Sequence, residues 1–211
     1  SILLISEIAS KCPKLKVIGE SLPGFTTRYW DCCKPSCAWN HGSRSCDKQQ
    51  RVETNPYLTS ICAGGGEGVS TTCLSQIPFT IDDCPDMGFA FAATPGNPGG
   101  NDNCGKCFEF TFTGEGHWKT TPQTQALKGK KLVVMTTNIG YDIEPGQFDI
   151  LTPGGGVGLF NGCDLLFGSA NMGVQYGGLL TECLDVKKTD DPVSCLKEGC
   201  QKAFSNIPLA L

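Results

Sequence analysis

Short runs in which apolar and polar residues alternate, each closed by a glycine-containing turn, dominate this chain, and strongly periodic helices are scarce. Cys107–Phe112 alternates Phe108, Phe110 and Phe112 with Glu109 and Thr111, which predicts a strand whose phenylalanines face a core. Lys131–Thr137, carrying Leu132, Val133, Val134 and Met135, predicts a second strand, and Phe148–Leu151 a third just before Gly154-Gly155-Gly156. Helices are expected at Asp86–Ala93 and at Pro192–Phe204, where Pro192 follows Asp190 and Asp191 in the way helices start. The spacing of Ile2, Leu3, Leu4, Ile5 and Ile8 suits a short helix within Ser1–Ser10, docked on the body with Cys12 as a tether. Many short strands joined by long loops argue a mainly β chain, a compact barrel with a few short peripheral helices. No repeat or linker divides the 211 residues, so residues 26–211 read as a single domain and residues 1–25 as an extension packed on it.

Cysteine usage changes this picture most. Fourteen cysteines stand beside only two histidines, and the single CxxC, Cys104-Gly105-Lys106-Cys107, has no second pair to complete a zinc site. An even count without metal spacing fits a disulfide framework in an oxidising compartment, with candidates Cys12, Cys32, Cys33, Cys37, Cys46, Cys62, Cys73, Cys84, Cys104, Cys107, Cys163, Cys183, Cys195 and Cys200. That framework would tie down the long loops and marks an exported, extracellular protein. The first ten residues contain Glu7 and lack a basic region, so they are not read as the tail of a signal peptide. No apolar run approaches the ~20 residues that a membrane span needs. Net charge is -4, and Lys128, Lys130 and Lys131 form a solvated turn rather than a basic stripe, so nucleic acid is not expected as a partner.

Gly154–Gly158 lacks the Gly-Lys-Ser/Thr ending of a phosphate loop and is expected instead to permit close backbone approach at a corner. No cofactor and no metal are expected. Neither His41 nor His117 has the setting of a catalytic triad, and there is no Gly-x-Ser-x-Gly elbow. Carboxylates remain. Asp31 sits beside Tyr29 and Trp30 and is followed by Cys32, Cys33 and Cys37; it either caps a turn at a disulfide knot or presents its carboxyl for chemistry. Asp149, in Gln147-Phe148-Asp149-Ile150, is either a surface group on a strand or its counterpart, and Asp142 lies between them in a segment flanked by glycine and proline. Two carboxylates are what glycosidic cleavage requires, one to protonate the leaving oxygen and one to act on the opposite sugar face.

Two long motifs sharpen this reading. Thr27-Arg28-Tyr29-Trp30-Asp31-Cys32-Cys33-Lys34-Pro35-Ser36-Cys37 resembles the signature of glycoside hydrolase family 45 endoglucanases. Phe148-Asp149-Ile150, followed by Pro153 through Cys163, is similar to that family's second block, and Gly88–Thr94 and Cys104–Thr113 fit between them. The resemblance implies a six-stranded double-psi β-barrel, a catalytic domain at 26–211, and endo-acting, inverting hydrolysis of β-1,4-glucan. It places Asp31 as general base, Asp149 as general acid and Asp142 as a supporting aspartate on a mobile loop. Substrate contacts are implied at Thr27, Tyr29, Trp30, Trp39 and Ala93, the alternative for Trp39 being core packing beside Cys37. The implied partner is a β-glucan polysaccharide acted on by a monomer. Gln147 stands where fungal members commonly carry histidine, and Gly105 where they carry an extra cysteine, so the bridge pattern must differ in part. The alternatives are an expansin-like, non-hydrolytic wall-loosening protein, a carbohydrate-binding or inhibitor module, and an endoglucanase preferring xyloglucan or mixed-linkage glucan.

Overall fold

The computed structural model describes residues 12–64, 66–96, 102–168 and 171–205. The helix expected within Ser1–Ser10 therefore lies outside the described residues. Six strands carry the fold: β1 (Phe25–Tyr29), β2 (Phe79–Thr80), β3 (Met87–Pro95), β4 (Cys107–Thr111), β5 (Lys131–Gly140) and β6 (Gln147–Leu151). Four short helices are interspersed or follow: α1 (Pro122–Gln125), α2 (Cys163–Phe167), α3 (Gly178–Thr181) and α4 (Pro192–Phe204). The expected boundaries of α4 are those observed, with the Asp191 side chain accepting from the Ser194 N–H at 3.1 Å.

The strands run in the order β1-β6-β3-β5-β4, with β2 paired to the start of the central β3 at Gly88 and Phe89. β1 is parallel to β6 and β3 to β5, while β3–β6 and β4–β5 are antiparallel. The chain is thus mainly β, but no ladder joins β1 to β4 among the described residues, so hydrogen bonds do not close the sheet. The sheet curls without closing. Phe108 and Phe110 of β4 meet Phe148 of β6 edge-on, at ring distances of 4.9 and 4.7 Å, although β3 and β5 lie between those strands. Side chains bridge the gap that hydrogen bonds would close in a barrel. Phe108 and Phe110 accordingly face a core of Ala90, Ala92, Val134 and Ile150, as their period requires, while Phe112 lies just beyond the end of β4.

Asp86–Ala93 is a correction. This alanine-rich stretch forms strand β3, paired with β2, β5 and β6, and not a helix. Local helix propensity here is worth a few tenths of a kcal/mol per residue. Tertiary pairing outweighs it, because Ala90, Ala92 and Ala93 are buried at the centre of the sheet and are small enough to fit there.

Six disulfides close the loops: Cys12–Cys84, Cys32–Cys163, Cys33–Cys62, Cys37–Cys104, Cys46–Cys73 and Cys183–Cys195. Cys12 is therefore bridged to the body through Cys84, while the helix it is expected to tether lies outside the described residues. Cys107 and Cys200 are the exceptions, since both are free thiols. They sit on separate substructures, Cys107 at the exposed start of β4 against β5, and Cys200 on α4, which packs on α3. Each native bridge is worth about 2–4 kcal/mol to a loop-rich chain in the usual model. Thiol titration of the unfolded, unreduced protein should find two reactive groups, and in the folded protein Cys107 should react before the partly buried Cys200.

Candidate active site

Three adjacent strands position the first carboxylate. Asp149 on β6 is in register with Thr27 on parallel β1 and with Ala93 on antiparallel β3. Thr27 Oγ1 donates to Asp149 Oδ1 at 2.6 Å. Alternation along β1 puts Tyr29 on the same face as Thr27. Three residues later the chain turns sharply, with Cys32 at φ 61°, a left-handed conformation uncommon for a residue with a side chain. The Cys32–Cys163 bridge holds that turn, and the Gly162 N–H donates to the Asp31 carbonyl at 2.9 Å. Glycine is required at 162, since a Cβ there would stand 2.6 Å from Cys62 Sγ and 3.1 Å from the Asp31 carbonyl oxygen. The Asp31 carboxyl then accepts the Cys33 N–H at 3.0 Å.

The glycine run supports the same corner. Trp30 N–H donates to Gly156 O at 2.6 Å, and a Cβ on Gly155 would lie 2.9 Å from Tyr29 N. Close backbone approach is the role expected of this run, and the two sequence motifs are joined through it.

Both aspartates titrate high. Burial raises Asp31 to about 7, helped by the charges of Asp149 and Asp142 and opposed by the Cys33 N–H. Burial raises Asp149 to about 6, with Asp142 pushing the same way and Thr27 and Arg28 opposing. Tyr29 is raised well above its usual value, again by burial first and then by the Asp31 charge. Asp142 is exposed on the β5–β6 turn, yet its charge acts on both half-buried carboxyls. The three predicted aspartates therefore form one electrostatic group. Perturbed carboxyls that share a site in this way are what acid–base chemistry needs. Among the described residues, no group of three or more His, Cys, Asp or Glu side chains could hold a metal ion.

The predicted substrate contacts divide. Tyr29 lies within the site, its hydroxyl accepting from Asn138 Nδ2 at 3.3 Å. Trp39 is 39 % exposed, and Lys34 Nζ lies 3.4 Å from its ring centroid. Lys34 is itself buried, donating to the carbonyls of Pro56 at 2.6 Å and Leu58 at 2.7 Å, so one side of the indole is braced by a fixed cation. Core packing is thus not the role of Trp39. Trp30 is a correction: at 1 % exposure it belongs to the core with Leu151, Leu179 and Met172, and its ring has no face to offer a sugar. Ala93, 2 % exposed, likewise meets Asp149 through strand pairing and presents no surface.

Two further residues belong to the site. Arg28 donates to the Gly177 carbonyl from Nε at 3.2 Å and Nη2 at 2.9 Å, and its charge lowers Asp149. Asn138 is delivered by a register shift, since Ala92 pairs with Thr136 but Ala93 with Asn138. The extra residue in β5 is a bulge. It lets Asn138 reach Tyr29 with its amide nitrogen and accept the Ser36 N–H with Oδ1 at 2.8 Å. Arg28 stands in plain view inside the first motif, but nothing local marks Asn138.

Known proteins resemble this chain over most of its length. The profile of glycosyl hydrolase family 45 matches residues 23–208. The chain belongs to that family. Its relatives include Endoglucanase B of Cellvibrio japonicus (strain Ueda107), 39 % identical over 87 % of this chain and 37 % of that protein. A putative endoglucanase type K of Fusarium oxysporum is 37 % identical over 90 % of this chain and 48 % of its own length. The crystal structure of a cellulase from the Antarctic springtail Cryptopygus antarcticus matches with a TM-score of 0.60 at 36 % identity, covering 86 % of this chain and 82 % of that one. The chain spans less than half the length of the bacterial and fungal relatives.

Proposed function

We propose that this family 45 chain cuts β-1,4-glucan internally with inversion, Asp149 acting as general acid and Asp31 as general base. The observation that carries this reading is the pair of half-buried carboxyls that share the charge of Asp142 and are raised to about 6 and about 7. In the inverting reaction the base draws a proton from water as that water attacks the anomeric carbon, and the acid protonates the departing oxygen. Asp142, exposed and able to act on both, tunes them without exchanging the proton.

Burial raises both carboxyls, Asp31 to about 7 and Asp149 to about 6, so the two titrate as a pair and hold protons toward neutrality. A glucan lying over Asp149 desolvates it further and favours its protonated form, the one an acid needs. The roles rest on the motif positions, and leaving-group dependence tests them directly.

Trp39, braced on one side by Lys34, supplies a flat face to cover pyranose C–H groups. Six disulfides support export to an oxidising, extracellular setting. The two parallel pairs and the curl that returns β4 to β6 support the double-psi barrel as the finer description of the fold. The Cys12–Cys84 bridge supports residues 1–25 as an extension packed on one catalytic domain.

Proton NMR of early hydrolysis of a soluble cello-oligosaccharide is the deciding experiment for stereochemistry, with reducing-end release from soluble cellulose run alongside. The α-anomer should appear first and convert slowly to the β-anomer. New reducing ends with the β-anomer first would replace inversion by retention, and no reducing ends at all would favour the expansin-like alternative.

A further inference from the structure

Thr27 has a single hydroxyl proton, and its surroundings decide where that proton points. Thr27 Oγ1 accepts from Gln147 Nε2 at 2.9 Å and donates to Asp149 Oδ1 at 2.6 Å. Gln147 is itself oriented. Its Oε1 accepts the Glu144 N–H at 2.9 Å, while its own backbone N–H donates to the Glu144 carbonyl at 3.0 Å. Turning the amide over would set its NH₂ against the Glu144 N–H, donor facing donor, so the backbone fixes which end of Gln147 faces Thr27. Every bond in the series from Glu144 to Asp149 then has one direction.

We propose that Gln147 is a positioning residue for the Asp149 carboxyl, committing the Thr27 proton to Oδ1 and leaving Oδ2 as the oxygen that carries and delivers a proton. The proposal rests on the reading of Asp149 as a catalytic carboxyl. Its chemical sense lies in the step itself. When Asp149 gives up its proton it becomes an anion, and a hydrogen bond to a charged oxygen is roughly twice as strong as one to a neutral group. Thr27 therefore stabilises the product side of the proton transfer, and Gln147 prevents it from turning away. The series also ends in the β5–β6 turn that carries Asp142, so the same turn holds both the supporting charge and the anchor of the amide.

The titratable and charged groups acting on Asp149 are Arg28 and Tyr29 on β1, Asp31 just beyond it and Asp142 on the β5–β6 turn; β3 contributes only Ala93 at this position. None of these is altered by changing Gln147, which makes the test specific. The measurement is a carboxyl carbon-13 NMR titration of Asp149 in the whole protein, assigned with Asp149→Asn. Gln147→Glu replaces the donor by an acceptor that competes for the Thr27 proton, and should move the Asp149 midpoint up by about one pH unit. In a Thr27→Val background the same change should move it by less than half as much. An equal shift in both backgrounds would mean that the added charge acts through space alone, and would overturn the proposal. Should Gln147→Glu fail to fold, Gln147→Met removes the donor without adding charge; an upward shift supports the proposal and an unchanged midpoint overturns it. The kinetic readout separates this from the reading it rests on. If the NMR midpoint shifts while the alkaline limb of kcat/KM stays in place, the positioning stands and Asp149 is not the acid.

Discussion

Asp149→Asn should cost about 10²–10⁴-fold in turnover on unactivated β-glucan while the chain stays folded. The amide still accepts from Thr27 Oγ1, so the β1–β6 register and its hydrogen bond need not change. What disappears is the proton for the leaving oxygen. A glucoside whose leaving group departs as a stable anion needs no such proton, so on a dinitrophenyl cello-oligosaccharide the loss should shrink to about tenfold or less. That contrast identifies the acid independently of which carboxyl holds the proton in the free protein. If Asp149→Asn were equally impaired on both substrates and Asp31→Asn were the one rescued, the two roles would be exchanged. Initial rates on the two substrates, with circular dichroism as the folding control, supply the comparison.

Asp31→Asn should be as severe on glucan, and on the activated substrate it should stay severe, because attack by water then proceeds unaided. A second effect has the opposite sign. The Asp31 carboxyl titrates near 7 in the folded protein, against an ordinary value of 3.8. The folded state therefore binds this proton more tightly than the unfolded chain does. Its contribution to stability is fully present below about pH 4, declines as pH rises and is gone above about pH 7. Asparagine carries no charge to desolvate, so at pH 8 the variant should be more stable than the parent by at least about 1 kcal/mol, or about 2–4 °C in a chain of this size. At pH 4 the two should melt together. Thermal melts at the two pH values check this, and a variant less stable at pH 8 would mean that burial is not what raises Asp31. Asp142→Asn, made at an exposed position, should lose much less activity than either and should shift both limbs of the pH profile downward.

Strands and helices with a strong pattern are legible in the residues alone. β4 follows from alternation, β5 from its apolar run between turns, β6 from its place before the glycine run, and α4 from its proline and acidic start, because each signal is local and survives whatever the chain does elsewhere. The failure at β3 has the same origin. Gly88-Phe89-Ala90-Phe91-Ala92-Ala93 has no strong period, and its conformation is decided by pairing with three other strands, two of them distant in sequence. Trp30 illustrates a second limit. A tryptophan next to a functional aspartate has the same local appearance whether it faces sugar or core, and the backbone turn at Cys32 separates the two directions. The free thiols of Cys107 and Cys200 illustrate a third, since an even cysteine count indicates an oxidised framework but pairing needs proximity.

By itself the sequence determined the chemistry available: two aspartates in two long motifs, a framework of cysteines, and no histidine or serine arrangement to compete with them. Only the tertiary structure decided how those groups behave. Register across β1, β6 and β3 puts Thr27 beside Asp149, and a bulge in β5 brings Asn138 to Tyr29. The physical reason is that a carboxyl's pKa is set by what excludes water from it and by charges through space, and residues 31, 142 and 149 become neighbours in that sense only when the sheet has curled.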